Sequence, residues 1–355
     1  MGKQNIIIVT NKVLILTPGF PENEQDTSCV PYLQDYVLAL ADSIGKEHVK
    51  VITIQYPFTR KAYTWNGIDV FPSGGSNKKS LAYYFTLRRT NKKIAQLFKQ
   101  DKYVIHAFWM GEAAFIGRYA AKKYATRFVV TFMGQDVKPG NRVMRYIDHS
   151  ATHFVVLSEY QNKILLANYG FNGDAIIPFA IPEIEIDESL YRDVDLLFVG
   201  SLIKIKQPEQ FVNIVAAVAQ HYPNIKAVIA GDGTERPQVT QLIESLNLKS
   251  NIKFVGRKSR PEIFDLMAHA KILVQTSAFE GQCLVYTEAL ASGMHVVSYN
   301  VGHIENTDRH QVGINEVQLT QYVLNLLQTN LSFTKHQSIS TSHVVAAYHK
   351  LYTGE

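Results

Sequence analysis

The 355-residue sequence is poor in cysteine and has no long apolar run. Its two cysteines, Cys29 and Cys283, are far apart and lack metal-ligand spacing, which argues against both a disulfide framework and a zinc site. No stretch of about 18 apolar residues occurs, so no membrane-spanning helix is predicted. Asn11 and Lys12 interrupt the apolar residues near the start, and no cleavage site follows, which disfavours a secretory signal. We therefore expect a cytoplasmic protein.

Several signatures of chemistry and of nucleic-acid binding are also missing. The chain has no Gly-x-Ser-x-Gly or His-Glu-x-x-His motif and no His/Cys/Asp cluster, so no metal site is predicted. The "GDGTER" segment (231–236) lacks the third glycine of a dinucleotide fingerprint and the Gly-Lys-Ser/Thr of a phosphate-binding loop. The basic residues of the chain are not interleaved with aromatic residues, and no helix-turn-helix signature occurs, which disfavours nucleic acid as a partner.

The formal net charge of +5 is unevenly distributed along the chain. Residues 1–180 contain 22 Lys and Arg against 13 Asp and Glu, a net of +9, whereas the remainder contains 14 against 18, a net of −4. The densest basic runs are 88–93 and 118–127. A solvated helix face is one interpretation of these runs. Attraction to an anionic membrane surface or to a phosphate-bearing substrate is the other.

Short β-branched runs alternate with longer amphipathic stretches, which predicts parallel sheets covered by helices. The pattern restarts after the acidic, proline-containing stretch 176–193, which we interpret as a linker. The chain is also longer than one hydrophobic core usually supports. The predicted fold class is α/β, with two doubly wound Rossmann-like domains that face a central cleft.

Two carboxylates, Glu280 and Glu288, frame a loop and the start of a helix in the second half. Ligands of doubly wound sheets bind beyond the carboxyl ends of the strands, and the predicted strand 271–277 ends just before Glu280. A helix is predicted to begin near Cys283 or Leu284 and to end before Gly293, and its first amides form an anion site. Carboxylates beside a bound phosphate need hydroxyl donors, so the spacing suits a nucleotide-sugar.

Residues 195–299 resemble the donor-binding domain of the family-4 GT-B glycosyltransferases, which are retaining enzymes that use nucleotide-sugars. The resemblance rests on "DLLFVGSLIKIKQPEQ", "VIAGDGTERPQ", "NIKFVGR" and "AFEGQCLVYTEALASGMHVVS", and extends more faintly to "ILTPGFP", "HAFW", "FMGQDV" and "VVLSE". It implies a bacterial enzyme of group-1 type with the GT-B fold. The implied domains are residues 1–182 for the acceptor, residues 183–335 for the nucleotide-sugar, and a helix in 336–355 that crosses back to the first domain.

The resemblance also implies roles for residues of the donor site. Glu280 would contact the donor sugar and Glu288 the ribose. Lys206 corresponds to a lysine on the diphosphate, Ser201 stands where arginine is usual, and Lys204 is a candidate replacement for that charge. Glu280 and Lys206 are the catalytic candidates. Further donor-side candidates, in the loops that follow the strands and at the helix start, are Gly231, Gly233, Arg257, Lys258, Gly281, Gln282, Cys283, Leu284 and Val285.

Candidates in the first half match the family less completely. The segment "FMGQDV" resembles a His-Gly-x-Asp motif in which Met133 replaces histidine, while Gly134 and Asp136 match. His106 is either a substitute for that histidine or a satisfied core histidine. The polar loop after the first strand adds three acceptor-side candidates: Gly19, Glu24 and Asp26.

Together these features predict a retaining glycosyltransferase of hexosyl or N-acetylhexosaminyl type that needs neither a metal nor a cofactor. The expected partners are a UDP- or GDP-sugar and a saccharide or lipid-linked acceptor, in cell-envelope polysaccharide or glycolipid assembly. The basic first half favours a peripheral position at the inner face of the plasma membrane. The departures at Ser201 and Met133 leave two alternatives, which are a catalytically lapsed nucleotide-binding scaffold and a nucleotide-sugar epimerase of the same fold.

Overall fold

The computed structural model describes residues 12–77, 81–181, 183–185, 187, 189–304, 307–336 and 339–355. The chain divides into two compact units, one of residues 1–180 with 339–355 and one of residues 181–338. The predicted divisions, at 182/183 and 335/336, lie within three residues of these. Pro182 lies outside the described residues, as does the segment 1–11 that bears on the signal-peptide prediction. In the described ranges, no helix combines the length and apolarity needed to cross a membrane.

Strands and helices alternate along both units, and their bounds are as follows. The strands are β1 (Lys12–Gly19), β2 (Val49–Tyr56), β3 (Tyr63–Trp65), β4 (Ile68–Pro72), β5 (Tyr103–Phe108), β6 (Phe128–Thr131), β7 (His153–Val156), β8 (Ala175–Ile176), β9 (Val194–Val199), β10 (Ala227–Ala230), β11 (Ile252–Gly256), β12 (Ala270–Gln275), β13 (His295–Tyr299) and β14 (His310–Gly313). The helices are α1 (Pro31–Ile44), α2 (Leu81–Phe98), α3 (Glu112–Tyr124), α4 (Glu159–Tyr169), α5 (Pro208–Ala219), α6 (Arg236–Ser245), α7 (Arg260–Ala268), α8 (Leu284–Ala291), α9 (Glu316–Gln328) and α10 (Thr341–Thr353).

The first unit contains a sheet with the strand order β3-β4-β2-β1-β5-β6-β7-β8. Neighbouring strands are parallel except for the β3–β4 hairpin. Helix α10 belongs to this unit and packs against α1, with Tyr348 and Tyr352 buried. The direction in which successive strands are added to the sheet reverses between β1 and β5, and we call such a reversal a switch point. A doubly wound sheet opens a crevice for ligands at its switch point.

The second unit contains a fully parallel sheet with the order β11-β10-β9-β12-β13-β14. Side chains alternate across this sheet, so each face builds its own core. Leu196 and Phe198 pack with residues of α5, α6 and α9, whereas Leu197 and Leu273 pack with residues of α7 and α8. The switch point lies between β9 and β12, so the loops that follow these two strands meet at one edge.

The predicted α/β class with two Rossmann-like sheets is confirmed, but five elements of the first unit were not predicted. These are strands β3, β4 and β8 and helices α2 and α4. Helix α2 was noticed only as a basic run, because its buried face consists of Thr86 and Thr90 as well as Ile94 and Leu97. Buried threonines hide the apolar period on which helix prediction depends.

Candidate active site

The switch point of the second unit brings together the two residues predicted to be catalytic. Lys206 ends a short 3-10 turn, Lys204–Lys206, in the loop after β9, and Glu280 lies in the loop after β12. Lys206 Nζ donates to Glu280 Oε1 at 2.5 Å. The loops are also joined directly, because Ala278 N–H donates to the Ile205 carbonyl at 2.8 Å and Thr276 Oγ1 donates to the Lys206 carbonyl at 3.0 Å.

The Lys206–Glu280 pair is largely removed from solvent, with the two side chains 22% and 13% exposed. Burial by itself would lower the pKa of the Lys206 ammonium, but the adjacent Glu280 carboxylate outweighs it, and the pKa is raised. Burial, reinforced by Glu280, raises the pKa of the Cys283 thiol well above its ordinary value. The site therefore favours the charged form of Lys206 and the uncharged form of the Cys283 thiol.

Glu288 lies one turn into α8 and is paired with an arginine that the sequence analysis did not single out. Nε and Nη2 of Arg260 donate to Glu288 Oε1 at 3.3 and 3.2 Å. The two side chains are 14% and 15% exposed. Arg260 follows the segment "GRKS" (256–259) and begins α7, so the available signal was a basic cluster directly after β11.

The segment leading into α8 is held in an unusual backbone conformation. Cys283 precedes the helix in the left-handed region, with φ 61°. The Gln282 carbonyl accepts from His303 N–H at 2.6 Å, and a Cβ on Gly302, whose φ is +79°, would lie 2.5 Å from that carbonyl oxygen. Gly281, a predicted donor-side residue, is buried in this loop, but the left-handed residue is Cys283. Leu284 and Val285 form the first turn of α8 and are half-buried.

The predicted glycine turn after β10 packs tightly on the loop after β9. A Cβ on Gly231 would lie 1.9 Å from the Gly200 carbonyl oxygen, and one on Gly233 would lie 2.3 Å from that of Leu202. Leu202 N–H donates to the Asp232 carbonyl at 3.0 Å. These glycines are required for close approach of two backbones, because any side chain would separate the loops.

Other predicted donor-side residues lie at the edge of this site. Ser201 and Lys204 are exposed in the loop after β9, and Arg257 is exposed in the loop after β11. Lys258 Nζ donates to Glu262 Oε1 at 2.8 Å, and Ser259 caps α7 through the same carboxylate. These hydrogen bonds lower the pKa of Glu262 to about 2. Lys258 is therefore already engaged at the start of α7.

In the first unit, Asp136 connects the loops that follow β5 and β6. Its carboxylate accepts from the backbone N–H of Met110 at 2.8 Å, of Met133 at 3.1 Å and of Gly134 at 2.9 Å. Burial raises the pKa of Asp136, although these three donors oppose the shift. Asp136 thus holds the backbone of the loops after β5 and β6 together, near the switch point of this unit.

The acidic loop after β1 is organised mainly by its own side chains. Asp26 accepts from the N–H of Cys29 at 3.1 Å and from the Tyr56 hydroxyl at 3.2 Å. Glu24 is exposed and accepts from Asn66 N–H at 3.1 Å, which lowers its pKa. Gly19 ends β1, and a Cβ there would make only ordinary contacts. Glu24 is the more accessible of the two carboxylates.

The structure corrects the suggestion that His106 replaces the missing motif histidine. Its side chain is fully buried, with Nδ1 2.6 Å from the Tyr352 hydroxyl and Nε2 2.8 Å from Thr131 Oγ1. Burial lowers the pKa of His106 to about 3. His106 is a core histidine that connects β5 to α10, because both ring nitrogens are satisfied inside the unit.

Strained backbone marks the loops at both switch points. Among the described residues, six that are neither glycine nor asparagine have positive φ values between 46° and 70°. Four of them, Val30, Trp109, Gln207 and Cys283, lie in the loops after β1, β5, β9 and β12 respectively, whereas Ser76 and Ala125 lie elsewhere in the first unit. Such conformations cost about 1 to 3 kcal/mol each and cluster at ligand sites. Strain is therefore present in the four loops where the sheet topology places a ligand.

Comparisons with known proteins show what this chain is similar to. Residues 183–318 match the family model described as "Glycosyl transferases group 1". A phosphatidylinositol N-acetylglucosaminyltransferase subunit from Homo sapiens is 23% identical over 159 residues, which are 43% of this chain and 33% of that protein. D-inositol 3-phosphate glycosyltransferase of Corynebacterium urealyticum is 30% identical over 115 residues, 30% of this chain and 27% of that protein. The chain thus matches about a third or less of these relatives' length.

Two solved structures resemble almost the whole chain. Sucrose-phosphate synthase from Thermosynechococcus elongatus has a TM-score of 0.73 and 15% identity, covering 97% of this chain and 94% of that one. Anabaena HepE in complex with UDP and glucose has a TM-score of 0.66 and 15% identity, covering 97% and 98%. Residues 183–318 are therefore similar to the group 1 glycosyltransferases, and the α/β fold with two Rossmann-like sheets is shared with GT-B glycosyltransferases of known structure.

Proposed function

We propose that this protein is a retaining glycosyltransferase that moves a hexosyl or N-acetylhexosaminyl group from a UDP- or GDP-sugar to a hydroxyl acceptor. The observation that carries the proposal is the Lys206–Glu280 pair, which lies at the switch point of the second unit and inside the segment that matches the family model. The Arg260–Glu288 pair on the adjoining helices supports the proposal with a second carboxylate.

In the proposed reaction the C1–O bond to the diphosphate breaks, and its electron pair stays on the diphosphate. A bond forms between C1 and the acceptor oxygen, and the hydroxyl proton passes to the released diphosphate. Lys206 and the first amides of α8 stabilise the leaving diphosphate, while Glu280 orients the sugar and Glu288 the ribose. These groups supply the positive charge that the leaving group needs, so the proposal requires neither a metal nor a cofactor.

We assign the acceptor to the first unit and propose that it is lipid-linked or a saccharide at an anionic membrane surface. Helix α2 presents an exposed stripe opposite its buried face. The stripe contains Leu81, Tyr84 and Phe85, which are 75%, 59% and 51% exposed, followed by Arg88 and Lys92. Exposed aromatic residues beside basic ones suit the interface of an anionic bilayer. The proposed location is therefore the cytoplasm, peripheral to the membrane, in glycolipid or envelope polysaccharide assembly.

Thermal stabilisation by UDP, GDP, ADP and TDP tests the donor site. A nucleotide at about 100 times its Kd should add roughly 2.7 kcal/mol to the free energy of unfolding. We expect a shift with UDP or GDP that is lost in Glu288→Ala. If no nucleotide stabilises the wild type, the donor assignment fails. Tight binding without turnover would favour the scaffold, and conversion of the donor without acceptor would favour an epimerase.

Co-sedimentation with vesicles tests the membrane proposal. We expect binding to vesicles with anionic lipid at low salt, weaker binding at high salt, and loss of binding in the double variant Tyr84→Ser/Phe85→Ser. Val317→Ser is the matched control, because Val317 is 78% exposed on the second unit. Absence of binding at low salt, or equal binding by the α2 variant, would remove the proposal.

A further inference from the structure

Two arginines of the first unit interact with each other but not with a carboxylate. Arg60 is exposed in the loop after β2, and Arg89 is half-buried on α2. Burial, and then the charge of Arg60, lowers the pKa of the Arg89 guanidinium. In the described part of the chain, neither guanidinium forms an ion pair with an acidic side chain. Two cations held close together repel each other, and a bound anion would remove this repulsion.

Hydrogen bonds within the unit fix the Arg89 side chain. Its Nε donates to the Ser73 carbonyl at 2.9 Å, and its Nη2 donates to Thr86 Oγ1 at 2.9 Å. A guanidinium has more N–H donors than these two contacts use. Guanidinium donors match the oxygens of a phosphate group, which arginine can bind through two parallel hydrogen bonds. Arg89 therefore has a defined orientation and donors left for an oxyanion.

Arg60 packs against Gly74, the residue that follows the carbonyl bound by Arg89. Gly74 has φ +62°, and a Cβ there would lie 2.7 Å from Arg60 Cγ and 2.9 Å from the Thr59 carbonyl oxygen. Glycine permits this approach because a side chain would push the loop and the arginine apart. Gly75 N–H donates to the Ile54 carbonyl at 2.9 Å, which fixes the loop on β2. Both arginines are thus anchored to one short segment, residues 73–74.

This segment lies at the edge of the sheet where ligands bind. Strands β2 and β4 are parallel neighbours, and β2 also pairs with β1 at the switch point. The loops after β1, β2 and β4 therefore leave from the same edge. Neighbouring strands are about 5 Å apart, so the loops that carry the arginine pair begin about 5 to 10 Å from the loop after β1. A group held there would flank an acceptor bound in the crevice.

We propose that Arg60 and Arg89 bind a phosphate or diphosphate group carried by the acceptor. This inference rests on the proposed function, which assigns the acceptor to the first unit. It narrows the acceptor to a phosphate-bearing molecule, which is either a lipid or a soluble ester. A lipid source agrees with the exposed stripe of α2, because Arg89 belongs to the same helix.

Isothermal titration with inorganic pyrophosphate tests the subsite. Every protein carries Lys206→Met, which removes the cation of the proposed donor site. In this parent we expect Arg89→Gln to raise the Kd about 10- to 100-fold, as for a hydrogen bond to a charged group. Arg60→Gln should raise it at most about 5-fold, because exposed charges contribute less. Lys61→Gln is the matched control, because it removes the same charge from an exposed position in the same loop, and it should leave the Kd unchanged.

The titration separates this inference from the proposed function. If no nucleotide stabilises the wild type, the proposed function fails, whereas pyrophosphate binding at the arginines can still be measured. Urea unfolding accompanies the titration, because Arg89→Gln leaves the Ser73 carbonyl without its donor. Arg60 makes no hydrogen bond to a described residue, so Arg60→Gln tests the site even if Arg89→Gln does not fold. The inference is wrong if the parent does not bind pyrophosphate, or if Lys61→Gln weakens binding as much as Arg60→Gln.

Vesicles distinguish a lipid phosphate from a soluble one. Phosphatidylcholine vesicles that contain phosphatidic acid present a terminal phosphate, whereas those that contain phosphatidylglycerol present a bridging one. Preference for phosphatidic acid that is lost in Arg60→Gln and kept in Lys61→Gln would support the inference with a lipid source. Binding of pyrophosphate through the arginines without this preference would support it with a soluble phosphate ester.

Discussion

The Lys206–Glu280 pair allows a prediction in which two substitutions at one contact act in opposite directions on nucleotide affinity. Lys206→Met removes the cation and leaves the Glu280 carboxylate beside the place of an anionic ligand. Glu280→Gln removes the competing anion and keeps the ammonium. We therefore expect Lys206→Met to weaken binding of the nucleoside diphosphate, and Glu280→Gln to preserve or strengthen it.

The size of the effect is that of one charged hydrogen bond from Lys206 to the diphosphate, made in the partly buried site that the Lys206–Glu280 pair marks. Opposite charges 4 Å apart interact by about 4 kcal/mol at an effective dielectric of 20. The atoms here are 2.5 Å apart and at most 22% exposed. Desolvation and lost water contacts reduce the net value to about 1.5 to 3 kcal/mol for a charged hydrogen bond. Lys206→Met should thus raise the Kd about 10- to 100-fold.

Turnover should fall in both variants, because Glu280 is proposed to orient the sugar and Lys206 to stabilise the leaving group. For Lys206→Met we expect a loss of about 10² to 10³ in kcat, typical of removing one preorganised charge-stabilising group. The assays are isothermal titration with nucleoside diphosphate and release of nucleotide from the sugar donor. Urea unfolding checks that each variant is folded, since an unsatisfied, partly buried Glu280 should cost about 1 to 3 kcal/mol.

Lys271→Met is the control for this experiment. Lys271 pairs with Asp195 at 2.7 Å, with comparable exposure, at the other end of the same strand β12. It should change stability slightly and nucleotide affinity not at all. Equal weakening by Lys206→Met and Glu280→Gln, or by Lys271→Met as well, would refute the reasoning.

Three further predictions concern stability. Arg192→Leu should destabilise the second unit by about 3 to 5 kcal/mol in urea unfolding, because this buried guanidinium donates to three backbone carbonyls; a loss below 1 kcal/mol would contradict it. Neutral His106 binds fewer protons when folded than when unfolded between pH 3 and 6.5, so stability should fall by about 1.4 kcal/mol per pH unit below 6.5, and His106→Gln should flatten that slope. Gly231→Ala should disrupt the loop packed on Gly200 and abolish nucleotide binding, whereas Gly111→Ala, which has open space, should fold normally.

Much of the second unit could be predicted from sequence because its signals are local. The strands ending near Ser201 and Ser277 are short apolar runs, and the helix after Cys283 ends before a glycine. Since the carboxyl ends of parallel strands share one edge, the sequence predicts Glu280 and Lys206 at the same edge, and the observed pairing of β9 with β12 makes them neighbours. The ion pair between them is the contact that this reasoning supports.

Tertiary contacts decided what local patterns do not encode. Arg260 and Glu288 are 28 residues apart, and their pairing depends on how α7 and α8 pack beside each other. His106 could be read either as a site residue or as a core residue, because a histidine after an apolar strand has the same local sequence in both cases. Burial against Tyr352, 246 residues away, settled the question.

What the sequence by itself determined is the alternation of strands and helices, the two-unit organisation and the acidic and basic residues that follow the strands. These depend on periodicity and on residue type within about ten residues, so interactions between near neighbours in the sequence determine them. Only the tertiary structure decided which charges pair, which are buried and which backbone positions are strained. Those properties depend on desolvation and packing between segments distant in sequence, and no local pattern determines them.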